Sequence, residues 1–225
     1  MPFTSTSATT YQTGTQSVYG IWDWDMTAWN HLSSVKYATL TKIITSPYRT
    51  FTRSNLFTDT VDSQTSTTRT ASIAIVCWNN STTCASGNTQ YGWKFDLPDS
   101  GEQVIYNPVF SGGTLLLNTT IPPQSSVGQC TLLLPTGWTM AFDMGTGGGK
   151  LQNVFPDSNG SLTVLTGASS IVGLKQGAVG TPYIVSIGSK QYAISSNVSG
   201  GSPPINQLNT QGGVTVKRVS WEQLR

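Results

Sequence analysis

The chain is short of charge. Only 10% of its 225 residues are Asp, Glu, Lys or Arg, against the quarter usual in globular proteins. The 12 basic residues are scattered and the net charge is +2, so no basic patch favours nucleic acid. Histidine occurs once, as His31 in "TAWNHLSS". That excludes zinc sites built on two histidines, and the segment lacks the GxSxG elbow of a serine hydrolase. His31 reads as a surface loop residue. No apolar run approaches the ~18 residues that span a membrane. The N-terminal "MPFTSTSATTYQTG" has neither a basic nor an apolar leader region.

Cysteine is scarce too. Cys77 and Cys84 flank the turn-forming "WNNSTT", a spacing that a hairpin can close to disulfide distance. Four-ligand zinc spacing is absent. A Cys77–Cys84 disulfide is the favoured reading and points to an oxidising compartment. Cys130 is left without a partner in the sequence. A low-charge, Ser/Thr-rich chain with no leader reads as a piece of a longer exported protein. A cytoplasmic protein is the competing account.

What is present is β-forming. The chain has 23 Gly, 11 Pro, 7 Trp and 8 Tyr. Alternating Thr and Val/Ile runs, cut by Gly and Ser turns, predict strands at 17–24, 51–62, 67–78 and 91–97. A short helix fits near 26–45. Four antiparallel strands follow closely: "EQVIYNPVF", "TLLLNTTIP", "WTMAFDM" and "KLQNVF". These are the content of one propeller blade. "NPVFSGGTLLLNT" and "TPYIVSIGSKQYAIS" look like one unit used twice, further apart than the ~40–50 residues of one blade, with an insert between them. The expected organisation is a loose lead-in over 1–16 and one propeller-type domain over 17–225. Within it, 17–100 is a first part, 101–155 the clearest blade, 156–179 an insert loop and 180–225 the last blade.

The motifs in register resemble those of the C-terminal propeller region of the type IV pilus-associated PilC/PilY proteins. They are "TQSVYGIWD", "TRSNL", "GWKFDLPDSGEQVIYNPV", "GGTLLLNTTIPP", "WTMAFDMGTGG" and "RVSWEQLR". The resemblance covers about residues 15–225. It implies an all-β, quinoprotein-like propeller of four-stranded antiparallel blades, here partial or open, with about three blades' worth of strands where closure needs at least four. It also implies an exported protein of the pilus tip, cell surface, periplasm or outer membrane. Its role would be pilus assembly and adhesion through protein–protein binding, with no catalysis. The expected partners are minor pilins or the tip complex and a host or abiotic surface receptor. "VTVKRVSW" would pair with the N-terminal strand to seal the ring, and exposed edges would accept a partner's strand.

Members of this family can carry a calcium loop. Here "DSNGSLTV" sets Asp157, Asn159 and Ser161 at alternate positions, as a hard cation requires. Leu162 stands where Gly is needed, however, and Ala168 where a bidentate acid belongs, so the loop is degenerate and an Asn-Gly turn is the plainer reading.

Other signals are weaker. "GTGGG" lacks a phosphate-loop frame and reads as a turn, with Asp143 bonding its backbone. The Trp residues fit blade cores better than a sugar platform. Asp23 and Asp25 are the best carboxylate pair for glycoside cleavage, and solvated strand-end acids the simpler account. An enzyme, quinoprotein-like or glycan-active, is the alternative function. In "GWKFDLPDSGEQVIYNPVF", Asp96 and Asp99 read as turn residues and Glu102 as a solvent-facing strand start.

Overall fold

The computed structural model describes residues 14–21, 52–78, 82, 84–123, 134–157, 159–162 and 169–209. These residues are all-β, apart from one 3-10 turn at Arg53–Asn55. The strands are β1 (Ser17–Ile21), β2 (Phe57–Asp59), β3 (Ser63–Gln64), β4 (Thr68–Ser72), β5 (Gly92–Asp96) and β6 (Val109–Ser111). They continue with β7 (Thr114–Asn118), β8 (Trp138–Asp143), β9 (Ser169–Lys175), β10 (Ala178–Ile187), β11 (Lys190–Asn197) and β12 (Ile205–Leu208).

They pair into three sheets, ordered β1-β5-β2, β3-β4-β9-β8-β7-β6 and β10-β11-β12, and among the described residues none closes on itself. Between these strands pairing is antiparallel, except that β2 runs parallel to β5, and the isolated bridges Ile73–Gly149 and Trp78–Gln90 are parallel too. The six-stranded sheet is the middle layer. "TLLLN" of β7 is buried at every position, as a strand covered on both faces must be. Leu115 and Leu117 turn toward Trp93 and Phe95 of β5, in a core that also holds Trp138, Met140 and Phe142. Leu116 and Ala141 turn the other way, toward Ala193 of β11 and Leu208 of β12.

Several boundaries differ from the sequence reading. "KLQNVF" is not a regular strand; its Val154 and Phe155 instead plug the second core, both fully buried. β9 takes the place beside β8. It lies inside 156–179, the stretch expected to be an insert loop, because its Ser and Gly residues disguise an interior strand. "EQVIYNPVF" is extended only at its end: Gln103 makes an isolated bridge to Thr120, and β6 begins at Val109. In "FTRSNLFTDTVD" the Arg53–Asn55 turn, capped by Thr52 and Asn55, precedes β2. The expected helix near 26–45, the sealing strand "VTVKRVSW" and nearly all of the 1–16 lead-in lie outside the described residues.

Candidate interaction surface

Two sheet edges meet at an apolar groove. β1 is an outer strand of its sheet and β6 an outer strand of the six-stranded sheet. Between them lies a cavity of about 390 Å³, lined by Tyr19, Gly20, Ile21, Trp78, Trp93, Phe110, Leu115 and Met144. Tyr19, Ile21, Phe110 and Met144 remain exposed, Phe110 at 61%. Exposed edge strands and a few apolar anchors are what an added strand needs, the edge supplying main-chain hydrogen bonds and the pocket a side-chain site.

The 143–149 turn contributes Met144 to the lining of this groove. Asp143 Oδ1 accepts hydrogen bonds from the amides of Gly145 (2.9 Å) and Thr146 (3.2 Å), the turn role expected of it. The Trp93 ring packs closely against two glycines. A Cβ at Gly20 or at Gly147 would come within 2.2 Å of its ring, and Gly147 also has φ of +79°. The indole Nε1 donates to the Met144 carbonyl at 3.1 Å, which pins the turn to the ring. A second apolar area lies on the outer side of β10-β11-β12, where Tyr183, Val185, Ile187 and Ile205 are exposed.

Beside the groove, Arg53 reaches over the Tyr19 ring (5.5 Å) and pairs with Asp96 at 3.3 Å. Lys94 Nζ donates to Asp96 Oδ2 at 2.7 Å, and Ser17 Oγ bonds the other carboxylate oxygen. Burial raises the Asp96 pKa, but the Lys94 and Ser17 hydrogen bonds and the Lys94 and Arg53 charges outweigh it and leave it below the usual value.

The other two acids of "DLPDSGE" are structural. Glu102 is not on the solvent side: its side chain is fully buried against Arg69, also fully buried, in a two-pronged ion pair with both contacts at 2.8 Å. Glu102 Oε1 also accepts from Thr119 Oγ1 at 2.6 Å, and Oε2 from the Asp99 amide at 3.3 Å. Asp99 Oδ2 pairs with Arg69 at 2.9 Å and accepts from Trp138 Nε1 at 2.9 Å, while Gln64 Nε2 donates to Oδ1 at 2.9 Å. The guanidinium stacks over the Trp138 ring at 4.0 Å. Burial pushes the Asp99 carboxyl up, and the Gln64 and Trp138 hydrogen bonds with the Arg69 and Lys175 charges bring it below its usual value. A charge sealed in this way must be paired, and it is. The chain signalled this only faintly: alternation in "TRTAS" puts Arg69 on the face of Ala71, which is core.

The remaining candidates fall as follows. Cys77 and Cys84 are joined by a disulfide, with Cα atoms 5.4 Å apart. Asp157, Asn159 and Ser161 come together in a single turn. Its Asp157 Oδ1 accepts from the amides of Asn159 (2.9 Å) and Ser161 (2.8 Å), so that oxygen is already engaged by the loop's own backbone. Among the described residues no three His, Cys, Asp or Glu side chains gather as a metal site. Trp22, Asp23, Trp24, Asp25, Trp29, His31, Cys130 and Trp221 lie outside the described residues.

No family model matches the chain, and neither does any curated protein. Among solved structures it is similar to the Pseudomonas aeruginosa PilY1 C-terminal domain. The two superpose with a TM-score of 0.60 at 22% sequence identity. The match covers 88% of this chain and 38% of the PilY1 chain, so this chain spans well under half of that structure. At that identity the likeness is one of fold. The groove between β1 and β6 is described from this chain's own residues.

Proposed function

We propose that this chain is a non-enzymatic binding module of a type IV pilus-associated protein, acting in pilus assembly and adhesion at the cell surface or pilus tip. The observation that carries this reading is the fold likeness to the PilY1 C-terminal domain over 88% of the chain. On this reading the stacked sheets are neighbouring blades of a propeller left open within these residues. The groove between β1 and β6 is the binding site, and its occupant is an extended strand of a minor pilin. The strand adds its backbone to an open edge and places an apolar side chain between Tyr19, Phe110 and Met144. The low charge of the chain fits recognition by shape and apolar contact rather than by electrostatic steering. Among the described residues no helix is long and apolar enough to cross a membrane.

The test is capture of purified minor pilins by the immobilised chain. The parent chain should bind at least one of them, and Phe110→Lys should weaken that binding about tenfold or more, the scale of losing one interface anchor. Failure of every minor pilin to bind, or unchanged binding by Phe110→Lys, overturns the reading.

A further inference from the structure

One buried acid presses on the 143–149 turn, which brings Met144 to the groove. Asp59, at the end of β2, is 6% exposed. Its Oδ1 accepts from the Thr60 amide at 2.8 Å, but its Oδ2 is buried with no hydrogen-bond partner among the described residues. A polar atom left this way is costly, so its place needs a reason. Oδ2 presses on Gly148: a Cβ there would stand 2.3 Å from Oδ2 and 2.7 Å from the Ser72 carbonyl. Both oxygens therefore crowd one point on the 143–149 turn. The next amide, Gly149, donates to that same Ser72 carbonyl at 2.7 Å. On the other side of Gly148, Gly147 lies against the Trp93 ring, and Met144 holds the Trp93 indole. The path from Asp59 to the groove is one short turn.

We propose that Asp59 is a proton-sensitive latch on the groove. Protonated, its Oδ2 shares its proton with the Ser72 carbonyl and the turn stays seated on Trp93. Ionised, it sets a bare carboxylate against that carbonyl and lifts the turn, so that Met144 and Gly147 move off the ring and the groove widens. The proposal rests on the reading of the groove as the binding site, since it names what regulates that site.

The surroundings suit this. Burial pushes the Asp59 carboxyl up from 3.8 to about 6; the Thr60 amide opposes the rise and the Asp62 charge adds to it. Asp62, on the connection after β2, is held by the Ser72 and Ser169 hydroxyls. The other charges on elements packed nearby have partners. On the turn, Asp143 bonds the turn amides and Lys150 bonds the Gly112 carbonyl and Thr114. On β4, Arg69 is paired with Glu102 and Asp99, and on β5 Lys94 is paired with Asp96. The β5 residue opposite Asp59 is the apolar Phe95. Because the folded state raises this pKa, the stability it contributes is complete below about pH 4 and is lost as pH rises through about 6.

The experiment uses the whole chain and no partner. The Asp59 carboxyl ¹³C shift is followed from pH 4 to 8, together with hydrogen exchange of the Gly149 amide and the Trp93 indole, corrected for intrinsic rate. Asp59 should titrate near 6, and protection at both sites should fall about tenfold between pH 5 and 7.5, a value set below the full shift because solvent is close. Asp59→Asn should hold protection constant over that range. Should Asp59→Asn fold poorly, Asp62→Asn serves instead and should move the midpoint down. Titration near 4, or pH-dependent protection persisting in Asp59→Asn, or a midpoint unmoved by Asp62→Asn, overturns the latch. None of these readouts involves a pilin, so failure of pilin capture and failure of the latch are told apart.

Discussion

The two faces of the central sheet are packed by different means. Toward β5 it presents Trp138, Met140 and Phe142 around the sealed Arg69–Glu102 pair. Toward β11 and β12 it presents Leu116 and Ala141, with Val154 and Phe155, beside the buried but uncharged Asn118 and Ser195. The apolar part of that face attracts without direction, and direction there comes from neutral hydrogen bonds, with Asn118 Nδ2 donating to Ser195 Oγ at 3.0 Å and to the Gly180 carbonyl at 2.9 Å. A two-pronged guanidinium–carboxylate pair is directional. It ties β4 to the 99–102 turn, and through Trp138 to β8, in one arrangement. The lesson is that both faces set their register by directional polar contacts, a sealed ion pair on one and neutral hydrogen bonds on the other.

The strongest way to break this comparison is Glu102→Ala. It leaves Arg69 buried with its main partner gone and should cost about 4 kcal/mol by chemical denaturation. The double variant Arg69→Met, Glu102→Leu should recover most of that loss. A double variant as unstable as the single one would mean that packing volume, not charge, governs this face. On the other face, Leu116→Ala should cost about 3 kcal/mol through the cavity it opens, with no shift in the pH dependence of stability. Breaking the Cys77–Cys84 disulfide with a pair of serines closes neither face and should cost about 2 kcal/mol in calorimetry, the value for so short a loop.

The pH dependence separates the faces further. The Asp99 pKa is lowered on folding, so its contribution is present above the usual carboxylate range and lost as pH falls through its folded value. Asp99→Asn should cost about 1 kcal/mol at pH 7, discounted for its exposure, and should flatten the loss of stability below pH 4. The sign is opposite to that of Asp59. The smallest effect is expected at the loop outside both faces: Asp157→Ala should cost about 0.5 kcal/mol, the worth of a turn bond. Calorimetric titration with Ca²⁺ should give the same heat for Asp157→Ala as for the parent chain; a heat that the substitution abolishes would give the loop a metal-binding role.

Much of the local grammar was readable. "TLLLN" reads as a strand and is one. "SIGSK" reads as the turn of a hairpin and joins β10 to β11. The Asp143 turn follows from "DMGTGGG" alone. The pairing was less readable. Alternation assigns a residue to a face but does not say what covers that face, so "SSIVGLK" passed for loop although it sits between β4 and β8. β2 reads like any Thr-rich strand, and nothing in it announces that it runs parallel to β5. The groove was not visible at all, because Tyr19, Phe110 and Met144 come from three separate segments.

The stretch "DLPDSGE" marks where the two kinds of information part. Its residues alone determine a turn: Pro and Gly restrict and free the backbone within a few positions, and the Glu102 amide duly donates back to the Asp99 carbonyl at 3.1 Å. The all-β class follows from the same short-range preferences, repeated along the chain. Whether Glu102 faces water or the core is a different matter. Its partner Arg69 lies 33 residues earlier, and the water is removed only when the sheets stack over both. Desolvation depends on everything that comes to lie around a group, so the tertiary structure alone decided which acids became buried struts, which became a latch and which stayed at the surface.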